Sequence, residues 1–523
     1  MRPVVETRSG KLRGRAVDGV VEFLGVPYAK PPVGSFRFRP PQPPEPWAGT
    51  RDAFESGPAA PQPRRGSLVR LFSGFLQKSI AEDCLYLNIW TPAADTSRRP
   101  VMVWLHGGAF LIGSGSSFLY RGHRLVRRGE VVVVTINYRL GTVGFLDLTS
   151  VGVAEDGYPA PANFGLHDQI AVLEWVRDNI AAFGGDPDNV TVFGESAGAM
   201  SIGSLMGAPR ARGLFHRGIL QSGAARNVST PEQAAYRTQR FLDAAGLTEK
   251  TPEDLLRALR AMPVDRILDL QFQVMGGSPP QAGWISWQPS VDGDLLARQP
   301  LEAVAEGSAR EVPMLIGSTL EEWKLFTVGT PRLRWMSREN LEERTAGLLR
   351  RNELDPGDTR EALAAYRRRS QFESYIALRS DEYFRIPAIR LAEAHARHQP
   401  ATYCYLFDFR APSMPRALGS CHALDLPFVF GAQRHPVLLP LFLGSGRAAR
   451  LGRRMQDAWI AFARHGKPEH DGFERSARRW PAYDKARRAT MWLAPKCRVE
   501  SAPLDGERRF WQERLAADRD GSR

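Results

Sequence analysis

The most constraining feature of this sequence is a glycine-bounded serine between a short apolar run and an amphipathic pattern. Residues 190–193 are all β-branched or aromatic, which predicts a buried strand, and residues 194–198 then read Gly-Glu-Ser-Ala-Gly. The apolar residues that follow recur at the spacing of a helix. Small residues two positions before and after Ser196 allow the backbone to cross itself in a sharp strand-to-helix turn. We therefore expect Ser196 at the apex of such a turn, with its hydroxyl raised out of a sheet.

The pentapeptide by itself is a weak signal, because glycine and serine are common and an ordinary turn would read the same way. The strand pattern before it and the helix pattern after it favour the nucleophile elbow, in which the serine precedes a helix N-terminus. The amides at that end of a helix favour negative charge. An ester carbonyl acquires such charge when a nucleophile attacks it.

A glycine-rich turn precedes this serine in the chain. Residues 101–105 are a continuous apolar run, typical of an interior strand of a parallel sheet, and residues 106–110 then read His-Gly-Gly-Ala-Phe. Acyl transfer needs main-chain N–H donors aimed at the developing oxyanion, and one donor contributes about 3–4 kcal/mol. A plain β-turn is the alternative interpretation. The position of the turn ahead of the serine motif favours an oxyanion site.

The remaining pattern predicts an α/β fold with a central, mostly parallel sheet flanked by helices. Apolar strand patterns and one long helix pattern alternate along the chain, which indicates strand–helix–strand units. The strand patterns lie at residues 131–136, 218–221, 312–317 and 403–409, and the helix pattern at residues 163–183. Residues 1–523 are expected to form one domain of this class. Two helix-rich, charged blocks, residues 230–310 and 337–398, are expected as insertions above the carboxyl ends of the strands, forming a cap or gorge.

A serine hydroxyl attacks well only when a histidine takes its proton and a carboxylate orients that histidine. In folds built around this turn the chain order is serine, acid, histidine. Glu321 and Glu322 both follow the strand pattern at residues 312–317, so either carboxylate would lie at the carboxyl end of that strand. The residues alone leave the choice between these two glutamates open.

Six of the ten histidines follow the two glutamates. We expect His395 and His398 to be solvated, since they lie in a charged helix end. Loops that are polar or follow no strand contain three others: His435, His465 and His470. His422 comes a short loop beyond the strand pattern at residues 403–409. Position and chain order therefore favour His422 over the other histidines as the base. The alternative is that His422 has a purely structural role.

The composition limits the other classes of function. Lys and Arg total 70 against 57 for Asp and Glu, a net charge of +13, which nucleic acid or an anionic membrane could attract. The basic residues are spread along the whole chain, and no RRM, KH or zinc-finger pattern accompanies them. This favours diffuse solubilising charge and predicts no nucleic-acid partner.

Neither a cofactor site nor a targeting segment is predicted. The four cysteines include no C-x-x-C pair, so no zinc site or redox motif is indicated. The first residues lack the apolar stretch of a signal peptide, and no apolar run approaches the length that spans a bilayer. These observations predict a cytoplasmic protein without a metal, a cofactor or a transmembrane segment.

Two longer stretches resemble signatures of the type-B carboxylesterases, a family of the α/β-hydrolase fold that includes cholinesterases and para-nitrobenzyl esterases. Residues 183–198 are similar to the serine signature of that family, and residues 82–92 to its second signature. The similarity extends from residues 25–29 to residues 480–484, nearly the whole chain. The resemblance implies an α/β-hydrolase fold with a serine nucleophile.

The resemblance also assigns the triad. Residues 317–323 resemble the G-x-T-x-D/E-E-G pattern that carries the acid, which selects Glu322 over Glu321. Residues 422–431 resemble the H-x-x-E-L-P-F-V-F-G pattern that begins with the base, which implies His422. Ser196 is then the nucleophile.

The same comparison names the groups around the triad. It implies that the N–H groups of Gly108, Ala109 and Ala197 form the oxyanion hole. It further implies that Ser222 and Glu195 lie close behind the reacting groups.

This sequence departs from the family pattern at several positions. Trp323 stands where glycine is usual in the acid loop, and Asp425 replaces the glutamate of the histidine motif. No cysteine precedes Cys84, so the disulfide that secreted relatives form there is absent. Residues 71–81 contain no tryptophan of the kind that binds choline in cholinesterases, which argues against a quaternary-ammonium substrate.

Together these features predict a serine hydrolase that cleaves small carboxylic esters through an acyl-enzyme. The same triad acting on a carbamate, an amide or a lactone is the nearest alternative. A non-catalytic interaction protein of the same fold and a basic nucleic-acid or anionic-surface binder are the more distant ones. The expected oligomeric state is a monomer or a homodimer.

Overall fold

The computed structural model describes residues 2–63, 79–154, 158, 161–275, 287–414, 416–471, 473 and 479–517. The strands are β1 Val4–Thr7, β2 Gly10–Arg13, β3 Arg15–Val17, β4 Val20–Pro27, β5 Thr50–Asp52, β6 Tyr86–Thr91, β7 Arg99–Leu105, β8 Val132–Ile136, β9 Gly185–Glu195, β10 Arg217–Gln221, β11 Met314–Thr319, β12 Thr402–Phe407, β13 Ala489–Leu493 and β14 Arg498–Ser501. The α-helices are α1 His123–Gly129, α2 Gly141–Phe145, α3 Phe164–Asn179, α4 Ala197–Gly207, α5 Pro231–Ala245, α6 Pro252–Ala261, α7 Val264–Met275, α8 Pro300–Ala305, α9 Arg338–Arg351, α10 Thr359–Ala365, α11 Gln371–Ser380, α12 Ile386–His395, α13 Leu426–Val429, α14 Leu439–Phe442, α15 Gly446–His465 and α16 Asp505–Ala517.

A large central sheet organises the described part of the chain. Its strand order is β14-β13-β12-β11-β10-β9-β7-β8-β6-β4-β3. The strands from β8 through β7, β9, β10, β11 and β12 to β13 pair in parallel, and the pairs at both edges are antiparallel. A small second sheet has the order β1-β2-β5. The predicted α/β class and mostly parallel sheet are confirmed.

The core lies on both faces of this sheet, because side chains along a strand alternate in direction. In β7, Val101, Val103 and Leu105 pack into the core of one face. Met102 and Trp104 pack into the core of the other face. All five are almost completely buried, and full burial of one such apolar side chain contributes about 1.5–3 kcal/mol. A strand buried on both faces explains the continuous apolar run in the sequence.

Parallel pairing brings the candidate motifs to one edge of the sheet. The glycine-rich turn follows β7, the serine turn follows β9, and both acid candidates follow β11. The carboxyl ends of neighbouring parallel strands lie side by side. Segments far apart in sequence therefore meet at this edge.

The described residues of both helix-rich blocks include several helices. The block at residues 230–310 contains α5 to α8, and the block at residues 337–398 contains α9 to α12. The start of α5 follows its sequence signal: Pro231 is the first helical residue, and Thr230 and Gln233 form reciprocal side-chain-to-backbone hydrogen bonds. That these two helix-rich blocks form a cap or gorge above the sheet remains a prediction.

Two further observations concern the described residues as a whole. None of their helices combines the length and apolar character needed to cross a bilayer. The four cysteines are buried, and none of them forms a disulfide bond within the described residues. The sequence of residues 64–79 contains an apolar cluster, which is expected to form a satellite core rather than a substrate-gorge wall, and most of it lies outside the described residues.

Candidate active site

Ser196 occupies the turn between β9 and α4. Its φ is 55°, a value that costs about 1–3 kcal/mol in a non-glycine residue unless its surroundings enforce it. Its N–H donates to the carbonyl oxygen of Gln221 in the neighbouring strand at 2.9 Å, which helps to hold the turn. A Cβ on Gly198 would lie 2.0 Å from the carbonyl oxygen of Leu105. Only glycine therefore lets α4 begin this close to β7.

The glycine-rich turn after β7 lies directly against this serine. A Cβ on Gly107 would lie 3.0 Å from Cβ of Ser196. Gly108 and Ala109 have φ values of 115° and 55°, so the main chain turns sharply at both residues. Within the described residues, the N–H groups of Gly108, Ala109 and Ala197 donate to no protein acceptor. These three amides are available to a ligand oxygen.

The acid loop after β11 separates the two neighbouring glutamates. The Glu322 side chain is fully buried, and its Oε1 accepts from the N–H of Thr319 at 2.7 Å. Glu321 turns away instead and forms an ion pair with Lys324 at 2.6 Å. Oε2 of Glu321 accepts from the N–H of Ser420 at 2.9 Å. The two neighbouring glutamates therefore point in different directions and have different partners.

His422 lies against Glu322 and against the serine turn. Its Nδ1 is 2.6 Å from Oε2 of Glu322, and its backbone N–H donates to the Glu322 carbonyl oxygen at 3.2 Å. Its Nε2 lies 3.0 Å from Oε1 of Glu195, the residue before Ser196. The rings of Phe384 and Phe326 lie 4.7 and 5.2 Å from the imidazole, centroid to centroid. These contacts fix the plane of the ring.

The charges around this imidazole perturb one another. Burial by itself would lower the pKa of His422, but the carboxylates of Glu195 and Glu322 outweigh it and raise that pKa. Burial raises the pKa of Glu195 to about 8, an effect that the positive charge of His422 opposes and that Asp425 reinforces. Imidazole and carboxyl groups with shifted pKa values in one buried cluster are typical of acid–base chemistry.

Sequence reasoning gave Asp425 no role, yet it lies in this cluster. Its side chain is fully buried, and Oδ2 accepts from Nε2 of Gln221 at 2.8 Å and from the hydroxyl of Tyr405 at 3.3 Å. Oε1 of the same Gln221 accepts from Nε1 of Trp459 at 3.0 Å. Burial raises the pKa of Asp425 to about 6. Its position three residues after His422, in a motif with a carboxylate there, was the available signal.

Ser222, predicted to lie behind the reacting groups, follows directly after β10. It is fully buried with a φ of 51°, and its N–H donates to the carbonyl oxygen of Gly317 at 2.8 Å. Its hydroxyl has no hydrogen-bond partner among the described residues. The next residue, Gly223, lies so close to the serine turn that a Cβ there would be 2.6 Å from the Ser196 carbonyl oxygen.

Trp323, which replaces the usual glycine, is buried beside the acid. Its indole lies under the guanidinium of Arg379 at 3.9 Å, and its backbone N–H donates to Oγ of Ser380 at 3.0 Å. Arg379 in turn pairs with Glu382 at 2.6 Å. The indole therefore joins the acid loop to α11 and the turn after it.

One expectation about a histidine was wrong. His395 is buried, and its ring nitrogens lie 2.7 Å from Oγ1 of Thr402 and 3.0 Å from the Val312 carbonyl oxygen. It packs between the ends of two strands because α12 docks on the sheet there. His398 is exposed, as expected.

Comparison with known proteins accords with this arrangement. The model of the carboxylesterase family matches residues 1–511. The chain is 40% identical over 516 residues to para-nitrobenzyl esterase of Bacillus subtilis, covering 97% of each protein. The chain belongs to the carboxylesterase family. It is a carboxylic ester hydrolase of the serine class.

Other relatives agree with this assignment. This carboxylesterase is 34% identical over 474 residues to phenmedipham hydrolase of Pseudarthrobacter oxydans, covering 90% of this chain and 91% of that one. A carboxylesterase of Geobacillus stearothermophilus superposes with a TM-score of 0.85 at 39% identity, covering 98% of this chain and 100% of that one. The fold is therefore the α/β-hydrolase fold.

In the described part of this carboxylesterase, no group of three or more His, Cys, Asp or Glu side chains has an arrangement that could hold a metal ion. The buried carboxylates near His422 are directed at the imidazole and at amide or hydroxyl donors instead.

Proposed function

We propose that this carboxylesterase hydrolyses its ester with Ser196 as nucleophile, His422 as base and Glu322 as the orienting acid. The observation that carries the proposal is the 2.6 Å contact between Nδ1 of His422 and Oε2 of Glu322. A hydrogen bond at Nδ1 leaves Nε2 as the proton acceptor. The same ring lies against the residue that precedes Ser196.

The reaction then runs in two halves. As Oγ of Ser196 attacks the ester carbonyl carbon, Nε2 of His422 takes the hydroxyl proton. The C–O bond to the alcohol breaks, the alcohol leaves with that proton, and the acyl group stays on Ser196. Water, deprotonated by the same imidazole, then attacks the acyl-enzyme and releases the carboxylic acid.

The oxyanion of each tetrahedral intermediate would lie against the amides of Gly108, Ala109 and Ala197. Their N–H groups lack protein acceptors in the described residues, and the turn that carries two of them adjoins Ser196. Each such donor contributes about 3–4 kcal/mol of transition-state stabilisation. The dipole of α4 adds to this because its N-terminus lies at the same place.

Glu195 has a supporting role in this proposal. Its carboxylate stabilises the imidazolium form of His422, and the pKa of Glu195, raised by burial, limits that stabilisation as the pH falls and the carboxylate takes up a proton. Ser222 and Asp425 lie further from the reacting atoms and position the turn and the imidazole.

Small carboxylic esters with an aromatic alcohol part, such as benzyl or aryl esters, are the proposed substrates, and the reaction is proposed to need no metal or cofactor. The similarity to an enzyme named para-nitrobenzyl esterase supports this choice. The helix-rich blocks at residues 230–310 and 337–398 are proposed as the walls that select the acyl and alcohol groups. The location is proposed to be cytoplasmic, which four buried cysteines without a disulfide support, and the enzyme is proposed to act as a monomer or homodimer.

The test uses the Ser196→Ala variant and a panel of para-nitrobenzyl esters with graded acyl length. We expect turnover to fall to the background rate, with an unchanged circular dichroism spectrum, and a fluorophosphonate probe to label the wild type only. Ser204→Ala, a buried serine of α4 remote from the turn, is the matched control and should keep activity and labelling. Undiminished hydrolysis by Ser196→Ala would refute the proposal.

A further inference from the structure

A basic cavity lies at the surface between α1 and α15. It has a volume of about 310 Å³, and we call it the arginine cavity. Its lining contains five arginines and two glutamines: Arg124, Arg127, Arg128, Arg434, Arg453, Gln433 and Gln456. The arginines come from two segments of sequence about three hundred residues apart, so no basic motif marks the cavity in the chain.

Most of this positive charge is uncompensated. Arg128 forms an ion pair with Asp457 at 2.5 Å. The described residues place no carboxylate within ion-pair distance of Arg124, Arg127, Arg434 or Arg453. Burial and the like charges of Arg127 and Arg434 lower the pKa of Arg124. Guanidinium groups held together in this way favour a polyanionic ligand, and each can bind a phosphate through two hydrogen bonds.

An exposed apolar loop adjoins the cavity. The chain leaves the cavity at Arg434, runs through residues 436–444, and returns to it at Ala449 and Arg453. In this apolar loop Val437, Leu439 and Leu443 expose 52%, 43% and 65% of their surface. Ten large apolar side chains are exposed in the described chain, and three of them lie in this nine-residue loop.

A neighbouring loop extends the same apolar patch. Oγ of Ser413 donates to the carbonyl oxygen of Leu441 at 3.0 Å, which places residues 413–414 beside the apolar loop. Met414 is 46% exposed. Two exposed arginines, Arg447 and Arg450, follow on the first turns of α15. The patch is therefore apolar at its centre and basic at its border.

We propose that the arginine cavity and the apolar loop together form a docking surface for an anionic phospholipid bilayer. Phosphate groups of the lipid would contact the guanidinium groups, and the leucines would enter the boundary between headgroups and acyl chains. A free phosphate would satisfy the arginines but would leave the apolar loop in water. The exposed loop is the reason to assign the phosphate to a lipid surface. The proposal is independent of the triad.

The test is sedimentation of the full-length protein with vesicles of phosphatidylcholine alone and of phosphatidylcholine mixed with phosphatidylglycerol. We expect binding to the anionic vesicles only, and loss of that binding as salt is added. Each arginine near a charged membrane contributes roughly a fivefold change in affinity. The triple variant Arg124→Gln, Arg127→Gln, Arg453→Gln should therefore bind on the order of a hundredfold more weakly.

A charge-matched control distinguishes vesicle binding at the arginine cavity from attraction by the net charge of the whole protein. Arg212→Gln, Arg360→Gln and Arg397→Gln remove the same charge from exposed positions outside the cavity. This control should bind like the wild type, and both triple variants should hydrolyse a soluble ester at the wild-type rate. Equal loss of vesicle binding in both triple variants would overturn the proposal.

Tryptophan fluorescence and serine substitutions test the contribution of the apolar loop to vesicle binding. In Leu443→Trp the new indole should shift its emission to the blue when anionic vesicles are added, relative to wild-type protein treated in the same way. Leu439→Ser combined with Leu443→Ser should weaken vesicle binding at least tenfold. Binding to inorganic pyrophosphate or to duplex DNA without binding to anionic vesicles would overturn the lipid assignment, as would an unshifted emission in Leu443→Trp.

Discussion

Nε2 of His422 lies 3.0 Å from Oε1 of Glu195. The other nitrogen of the same ring, Nδ1, lies 2.6 Å from Oε2 of Glu322. One buried imidazole is thus held between two carboxylates, one at the end of β9 and one in the segment after β11. The charge of each carboxylate affects when the imidazole can act as a base.

This relationship predicts the pH dependence of hydrolysis. The base must be neutral to take the proton, and the two carboxylates raise the pKa of His422. The protonated, inactive form therefore persists to higher pH than for an ordinary histidine, whose pKa is about 6.5. We expect kcat/KM to fall as the pH drops through a value above about 6.5, in a profile measured with a soluble aryl ester.

The variant Glu195→Gln should move that acid limb to lower pH. Removing the carboxylate next to Nε2 removes a negative charge that stabilises the imidazolium ion, so the pKa of His422 should fall. Glu321→Gln, which removes a carboxylate that contacts Lys324 instead, should leave the limb in place. An acid limb that stays fixed in Glu195→Gln would contradict the coupling.

A second prediction separates the two adjacent glutamates. Glu322→Gln keeps the size of the side chain but loses the charge that orients His422 and stabilises its protonated form. By analogy with other triads, kcat should fall on the order of 10⁴-fold with little change in KM. Glu321→Gln should lower kcat far less. Steady-state kinetics on both variants decide the matter, and the reverse order of effects would assign the acid to Glu321.

A third prediction concerns the close approach behind the serine turn. In Gly198→Ala the new methyl group would meet the Leu105 carbonyl oxygen at 2.0 Å, so the backbone must shift. We expect a loss of about 1–3 kcal/mol in the free energy of unfolding, measured by urea titration. Gly506→Ala, a helical glycine with open space around it, should instead gain about 0.5–1 kcal/mol. Equal stability of the two variants would mean that the turn can relax.

A fourth prediction tests the indole beside the acid. Trp323→Ala removes a buried ring that packs under Arg379 and beside Phe326, and should cost about 3–5 kcal/mol of unfolding free energy. Trp335→Ala is the matched control, because that indole is 80% exposed and its loss should change stability by less than about 0.5 kcal/mol. Similar urea midpoints for the two variants would show that Trp323 is not part of the packed core.

Some of the site could be predicted because its signals are local. The turn at Ser196 needs only its glycines and the flanking strand and helix patterns. The glycine-rich turn after β7 is local in the same way. By contrast, the residues alone could not choose between Glu321 and Glu322, because neighbours in one loop differ only in the direction of their side chains. The resemblance to a family made that choice, and the structure places Glu322 against His422.

Other features have no local signal. The solvated position expected for His395 was wrong because burial depends on how α12 docks, which the helix pattern does not contain. Phe326 and Phe384 reach the imidazole from separate elements. The satellite core expected at residues 64–79, with a gorge wall as its alternative, stays a prediction, since most of these residues lie outside the described part of the chain.

The sequence by itself determined the alternation of strands and helices and the serine turn, since both depend on residues near one another in the chain. It also determined the excess of positive charge, which depends on composition alone. Tertiary structure decided which charges meet. Parallel pairing of β9, β10, β11 and β12 brings Glu195, Glu322 and His422 to one edge of the sheet. Packing of α15 against α1 likewise gathers arginines that are diffuse in the sequence into one cavity. Electrostatic energies depend on distances in space, and the chain order does not contain those distances.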